Sequence, residues 1–376
     1  MIKETLAQLV AIDSVSSRSN QEIVDYLEQR CRAMNFATKR FPYLDEHGIE
    51  KINLIALAGA DFSGTPNVEL ALVGHTDTVP YDPHWSEATN LTERDGKLYG
   101  RGSCDTKGFI AAALTAAETS DPSQLKKPLA LIFTADEEIG LRGAKHLAEA
   151  NAIRPRYSIV GEPTSLKPIR AGKGYSLSEV IVKGREAHSA YPALGASAVF
   201  RAARLINRLE AIAERLKDED LHAAFEPPFT TLNIGLIRGG SAKNVLAGEC
   251  RFTLEWRPIP TQPSAHVLNL FKEAIAEEQR NDPDFECEVD FSRADTGFET
   301  AVDSPLVSLL EEATGIESGT VAFGTEAAQM KLLGSEAVVI GPGDIREAHR
   351  TGEFVPVDEL EKCAAVLKLA ITRLCG

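Results

Sequence analysis

At 376 residues, 43% of them hydrophobic and 25% charged, the chain is long enough for two domains, each with its own core. Lysine and arginine total 40 against 55 aspartates and glutamates, a net charge of −15; this argues against nucleic acid or an anionic membrane as the main partner. No apolar run is long enough for a membrane helix, the N-terminal MIKETLAQLVAIDS has no signal-type apolar region, and the six cysteines show no CxxC or zinc-ribbon spacing, so the chain reads as cytoplasmic with reduced thiols.

Ser19 and Glu22 have the S-x-x-E spacing of a capping box. Behind them Ile23, Val24, Leu27, Cys31 and Met34 recur at helical spacing. Residues 68–73 (VELALV) read as a short apolar strand that runs into His75 and Asp77. Residues 98–105 (LYGRGSCD) lead into an alanine-rich helix over 106–117. The next strand, 129–133, runs into three consecutive acids, Asp136, Glu137 and Glu138, and the strand at 157–160 runs into Glu162. Like charges at the tip of a buried run are costly unless cations or protons compensate.

From about residue 172 the periodicity changes. Residues 175–183 are strand-like and 196–216 form a long amphipathic helix. Leu232, Ile234 and Leu236 alternate, as do Cys250, Phe252, Leu254 and Trp256. A capped helix at 264–278 follows, then alternation at Phe285, Cys287, Val289 and Phe291. Alternation implies strands with one wet face, and the order β-α-β-β-α-β is ferredoxin-like. The first pattern then resumes with a helix at 305–313, a buried-type strand at 337–340 and a closing helix at 359–374. The expected fold is α/β, with a mixed, mostly parallel sheet in a discontinuous domain, 1–171 and 292–376. An α+β domain is inserted at 172–291.

Ligands of open parallel sheets sit beyond the carboxyl ends of the strands. Strand neighbours of that kind would gather His75, Asp77, Asp105, Glu137, Glu138, Glu162 and His349. Singly, each has a plain reading: a structural histidine, a helix cap at Asp105, a turn at Glu162, a surface loop at His349. Together they form a mixed nitrogen and oxygen set suited to zinc, cobalt or manganese rather than a thiolate site. Three ligating carboxylates and one hydroxide would balance two divalent cations, leaving one acid, Glu137, as general base. Asp77, two residues past His75, is placed to accept from its other ring nitrogen. No G-x-S-x-G elbow and no phosphate loop compete with this reading.

The segments GHTDTVP (74–80), GRGSCDTKG (100–108), TADEEIG (134–140), GEPT (161–164) and EAHRTGE (347–353) resemble the dinuclear zinc M20 peptidase and deacylase family over nearly the whole chain. The resemblance implies that His75 and Glu162 hold one metal, Glu138 and His349 the other, and Asp105 bridges them, with a cis peptide after Asp105. Zinc is the implied metal, with cobalt as an alternative. Glu137 would take a proton from water as it attacks an amide carbonyl, then return one to the leaving amine. GREAHSAYP (184–192) resembles the family's lid motif, whose His188 would reach the other subunit's site, implying a homodimer through the inserted domain. Asn244, Arg257, Gly324, Thr325 and, more weakly, Lys173 resemble substrate-contacting positions; a guanidinium such as that of Arg257 suits a carboxylate. Within the family, FGTEAAQM and IGPGDIREAHRTGEFV are most similar to the branch that deacetylates N2-acetyl-L-ornithine. That implies a small N-acyl amino acid substrate and products L-ornithine and acetate, in arginine biosynthesis. Desuccinylation of succinyl-diaminopimelate, other N-acyl-amino-acid deacylases or dipeptidases, and a non-catalytic metal-binding relative are the alternatives.

Overall fold

The computed structural model describes residues 1–376, except for the side chains of Phe291 and Ser292; the alternation expected at Phe291 lies outside the described side chains. The chain divides into two compact units. One comprises Met1–Arg170, Glu299–Gly319 and Thr325–Gly376, the other Ala171–Phe298 and Thr320–Gly324.

In the first unit a sheet runs in the order Ala37–Leu44, Glu50–Ala58, Leu129–Thr134, Asn67–His75, Arg154–Val160, Glu336–Val339. The last four of these strands are mutually parallel, and the first two join antiparallel. Leu129–Thr134 is buried at every position, as parallel strands covered on both faces require. Ile2–Ala11, Lys107–Thr119 and Val357–Cys375 supply covering side chains, with Leu6, Leu9, Phe109, Ile110, Leu367 and Ile371 all in one core with Leu131 and Ile159. Gly161 lets the helix Lys107–Thr119 approach closely: a Cβ there would lie 2.2 Å from the Phe109 ring. A second, small sheet orders Phe354–Pro356, Lys97–Tyr99 and Thr92–Arg94.

The capping box at Ser19–Glu22 does not form. The helix is Gln21–Ala33, preceded by Asn20, which makes no side-chain cap. The Asn20 amide instead bonds both backbone groups of Ile52, accepting its N–H at 3.0 Å and donating to its carbonyl at 2.8 Å, so the side chain ties the helix entry to the sheet. The helix Ala265–Asn281 likewise lacks the expected side-chain cap at Ser264; the Ser264 carbonyl accepts the Trp256 indole N–H at 2.9 Å.

The second unit is a four-stranded antiparallel sheet, ordered Thr231–Gly239, Glu249–Arg257, Tyr175–Lys183, Cys287–Asp295. The helices Ala198–Leu216 and Ala265–Asn281 share a core with it, built from Val180, Val182, Leu205, Leu209, Phe252, Leu254, Trp256 and Phe271. Leu236 departs from the alternation expected of it. A register shift between Ile234 and Leu236 re-aims the strand, leaving Leu236 61% and Ile237 54% exposed. Among the described residues, no helix is long and apolar enough to cross a membrane.

Candidate metal centre

His75 is the last residue of Asn67–His75, which lies between Leu129–Thr134 and Arg154–Val160. Because these three strands and Glu336–Val339 are parallel neighbours, the segments that follow them open on one rim. The loop after the first neighbour carries Glu137 and Glu138, that after the second carries Glu162, and that after Glu336–Val339 carries His349. Asp105 arrives from the segment between Lys97–Tyr99 and Lys107–Thr119, and its peptide bond to Thr106 is cis.

The side chains meet. Asp105 Oδ1 lies 3.0 Å from His75 Nε2, and Oδ2 lies 3.2 Å from His349 Nε2. His349 Nε2 is also 3.0 Å from Glu138 Oε1. Two groups have donor atoms all within 4.8 Å of one another: His75, Asp105 and Glu162, and Asp105, Glu138 and His349. Asp105 belongs to both. His75, Asp105 and Glu162 are buried, and the His349 side chain is half exposed.

Burial and mutual repulsion among the acids dominate the electrostatics of the cluster. Burial pushes the carboxyls of Glu137 and Glu162 well above their ordinary range; Glu138 and Glu326 push Glu137 further, Asp105 and Glu137 do so for Glu162, and His75 only partly offsets this. Burial opposes ionisation of Asp105 too, yet His349 and His75 hold its carboxyl below the ordinary range. Asp105 and Glu138 lift His349 to about 10. His75 is raised in turn by Asp105 and Asp77 against its own burial. Four acids and two imidazoles converge, short of positive charge, with nitrogen and oxygen donors at ligand spacing. That donor set fits divalent cations of the zinc and cobalt type.

Asp77 works differently from the expectation. His75 Nδ1 is 3.0 Å from the Asp77 backbone carbonyl, whereas the nearest carboxylate oxygen is 3.6 Å away. The carboxylate instead accepts the backbone N–H groups of Glu137 at 3.0 Å and Glu138 at 3.2 Å, and the Ser16 hydroxyl at 2.8 Å. Three donors outbid one distant ring nitrogen, and Asp77 thereby fixes the turn that presents both glutamates.

Three acids near this rim carry no role in the sequence reading. Asp136 pairs with Lys51 at 2.9 Å and accepts the Tyr43 hydroxyl at 2.9 Å; the Lys51 and Asp136 side chains are each 1% exposed. Glu353 pairs with Arg101 in the core. Glu326 is buried at the start of Ala327–Leu332, and burial, against the pull of His75, lifts its carboxyl to about 7. The hints were the first acid of TADEE and the final acids of EAHRTGE and FGTE, but their partners lie far away in sequence.

In the second unit, His188 is exposed, its Nδ1 accepting the Ala190 N–H at 3.1 Å. The Ser189 N–H donates to the Asn244 carbonyl at 3.0 Å, so the His188 and Asn244 loops run together. Arg257 donates to Glu255 at 2.9 Å, and its guanidinium lies 4.3 Å from the Tyr175 ring centroid. Gly324 faces Tyr175. Lys173 is buried and donates to the carbonyls of Pro227 at 2.8 Å and Phe229 at 2.6 Å, so its ammonium is engaged in holding that loop. In the first unit, the buried Thr325 hydroxyl accepts the Ala327 N–H at 3.3 Å.

The model of peptidase family M20/M25/M40 matches residues 71–373. A curated acetylornithine deacetylase of Myxococcus xanthus is 53% identical over 375 residues, covering 100% of this chain and 98% of its own. Among solved structures, a tripeptidase from Staphylococcus aureus superposes with a TM-score of 0.76 at 23% identity, over 99% of this chain and 97% of that one. A dinuclear metal-binding M20 peptidase from Bacillus subtilis superposes with a TM-score of 0.65 at 14% identity, over 99% and 97%.

Proposed function

This chain belongs to peptidase family M20/M25/M40, and we propose that within it the chain is an acetylornithine deacetylase, hydrolysing N2-acetyl-L-ornithine to L-ornithine and acetate. Asp105, standing between two three-donor groups with Glu137 beside them, carries the chemistry of this reading. The choice of acyl amino acid rests on the full-length likeness to the Myxococcus xanthus enzyme.

His75, Asp105 and Glu162 would hold one divalent cation and Asp105, Glu138 and His349 the other. Such ions, when bound, acidify a coordinated water and polarise the substrate carbonyl. Glu137, whose carboxyl burial already lifts, takes the proton of the attacking water and delivers it to the departing α-amino group. Asp77 keeps Glu137 aimed by holding its backbone N–H. Arg257, Gly324 and Thr325 would receive the substrate carboxylate, Asn244 would approach the substrate, and His188 would donate to the developing oxyanion.

The second unit, in this reading, is a lid and dimerisation domain. Its edge strand Thr231–Gly239 exposes Leu236 and Ile237, and on the helix Ala198–Leu216 Phe200 is 71% exposed. An unpaired apolar edge of this kind favours strand pairing with a second copy, which would carry His188 to its partner. The six unpaired cysteines suit the cytoplasm.

The test is acetate release from N2-acetyl-L-ornithine, run beside N-succinyl-diaminopimelate. Chelator-sensitive turnover of the acetyl substrate supports the reading. Preference for the succinyl substrate, or turnover that survives removal of all metal, would sink it.

A further inference from the structure

We propose that Glu353 is a positioning residue that couples the two cation positions, by clamping the backbone of Asp105 to the segment that carries His349. The inference deepens the reading above and rests on its two-cation site.

The small sheet sets the geometry. Phe354 pairs with Tyr99, Val355 with Leu98 and Pro356 with Lys97. This register puts Glu353 beside Gly100, whose N–H donates to the Glu353 carbonyl at 3.1 Å. From there the Glu353 side chain, 1% exposed, reaches back over the GRGSCD turn. Its Oε1 accepts the backbone N–H of Cys104 at 3.0 Å and that of Asp105 at 3.1 Å. Its Oε2 accepts from the Arg101 guanidinium. Arg101 is held in turn by the Pro80 carbonyl at 3.4 Å and lies over the Trp85 ring. A buried carboxylate with three donors is both satisfied and costly to remove.

The two positions depend on this clamp unequally. His75 is fixed within a paired strand, and Glu162 lies two residues past the end of another. His349 has no such support: it sits in a loop, in the left-handed conformation at φ 60°, four residues before Glu353. Asp105 also lies outside any strand. The position formed by Asp105, Glu138 and His349 therefore has two of its three ligands on segments that Glu353 ties together. The position formed by His75, Asp105 and Glu162 has one. Loss of the clamp should weaken the first-named position selectively, in the range of roughly 10- to 100-fold found when groups supporting a metal ligand are removed.

The experiment is zinc binding by the full chain, read as stoichiometry and stepwise affinity in a competing chelator, for wild type, Glu353→Ala and Glu353→Gln. Far-UV circular dichroism and the thermal midpoint monitor folding. Wild type should take two zinc ions. Glu353→Ala should keep one affinity within about threefold and lose about 100-fold in the other, the upper end of the supporting-group range. Glu353→Gln keeps one oxygen able to accept both N–H groups, so it should lose about 10-fold at the same position; being isosteric, it decides the matter if the alanine variant does not fold. Chelator-competition curves for His75→Ala and His349→Ala, each of which belongs to one position only, identify which affinity belongs to which position. Equal weakening of both positions, weakening confined to the other one, or no change in Glu353→Gln would overturn the clamp while leaving the proposed function standing. A wild-type chain that bound no zinc would overturn both.

Discussion

Replacing Lys51 by methionine should cost the fold more than any surface change of equal size. The Lys51 ammonium, on a side chain 1% exposed, is spent on the carbonyls of Ser16 and Arg18 and on Asp136 Oδ1. Methionine matches the stem but removes every donor. Asp136 would remain buried as an unpaired charge with only the Tyr43 hydroxyl as partner, and breaking such a pair costs about 3–5 kcal/mol. The assay is urea unfolding of wild type, Lys51→Met and Lys51→Met/Asp136→Asn at one fixed zinc concentration. The single variant should lose about 4 kcal/mol, and the double variant should regain about half, because asparagine keeps the Tyr43 bond without the charge. The deficit has a pH signature. Burial already lifts the Asp136 carboxyl above its ordinary 3.8 against the pull of Lys51, and loss of Lys51 lifts it further. An acid raised in the folded state binds its proton more tightly there, so the penalty is full at neutral pH and shrinks as pH falls through the raised value. A single-variant loss under about 1 kcal/mol, or a double variant no more stable than the single, would refute the reasoning that this pair is a buried charge in balance.

Three further outcomes follow from particular contacts. Glu137→Gln should lower kcat by about 100- to 10,000-fold, the usual worth of a general base, while equilibrium dialysis still finds two zinc ions per chain; loss of zinc instead would make Glu137 a ligand. Glu278, on Ala265–Asn281, accepts Arg204 at 2.8 Å and Arg208 at 2.6 Å on Ala198–Leu216; its burial opposes ionisation, but the two arginines hold its carboxyl below the ordinary 4.5. A depressed acid adds stability above its unfolded pKa, so Glu278→Gln should differ from wild type in thermal midpoint at pH 7, and the gap should close as pH falls below about 4.5. If the edge strand pairs two copies as proposed, wild type should sediment as a dimer and Leu236→Lys with Ile237→Lys as a monomer; a dimer unchanged by the substitutions would move the interface elsewhere.

Much of the fold was legible because its signals are local. Runs such as LALIFT are apolar throughout since parallel strands are buried on both faces. The second unit's strands alternate because one face is covered, except where the shift at Ile234/Leu236 breaks the period. Ile2–Ala11 and Glu50–Ala58 escaped notice: the helix, although it buries Thr5, Leu6, Leu9 and Val10 on one face, has no side-chain cap to mark its start, and the strand is buried at all but its first residue and so shows no alternation. The candidate ligands were legible as a list of residues, most of them in segments that follow strands, and the parallel order of those strands explains why they meet. What supports the ligands was not. Asp77 grips backbone N–H groups 60 and 61 residues away, and Glu353 grips others 249 and 248 residues away. A carboxylate bonded to backbone leaves no complementary side chain to search for. Lys173 shows the same thing, taken from its expected substrate contact by backbone carbonyls brought near only by folding.

Anomalous scattering at the zinc edge, from crystals grown with zinc, tests the two-cation reading most directly. Two peaks are predicted, one among His75, Asp105 and Glu162 and the other among Asp105, Glu138 and His349, with Asp105 touching both. A single peak, or zinc held away from Asp105, would contradict the account.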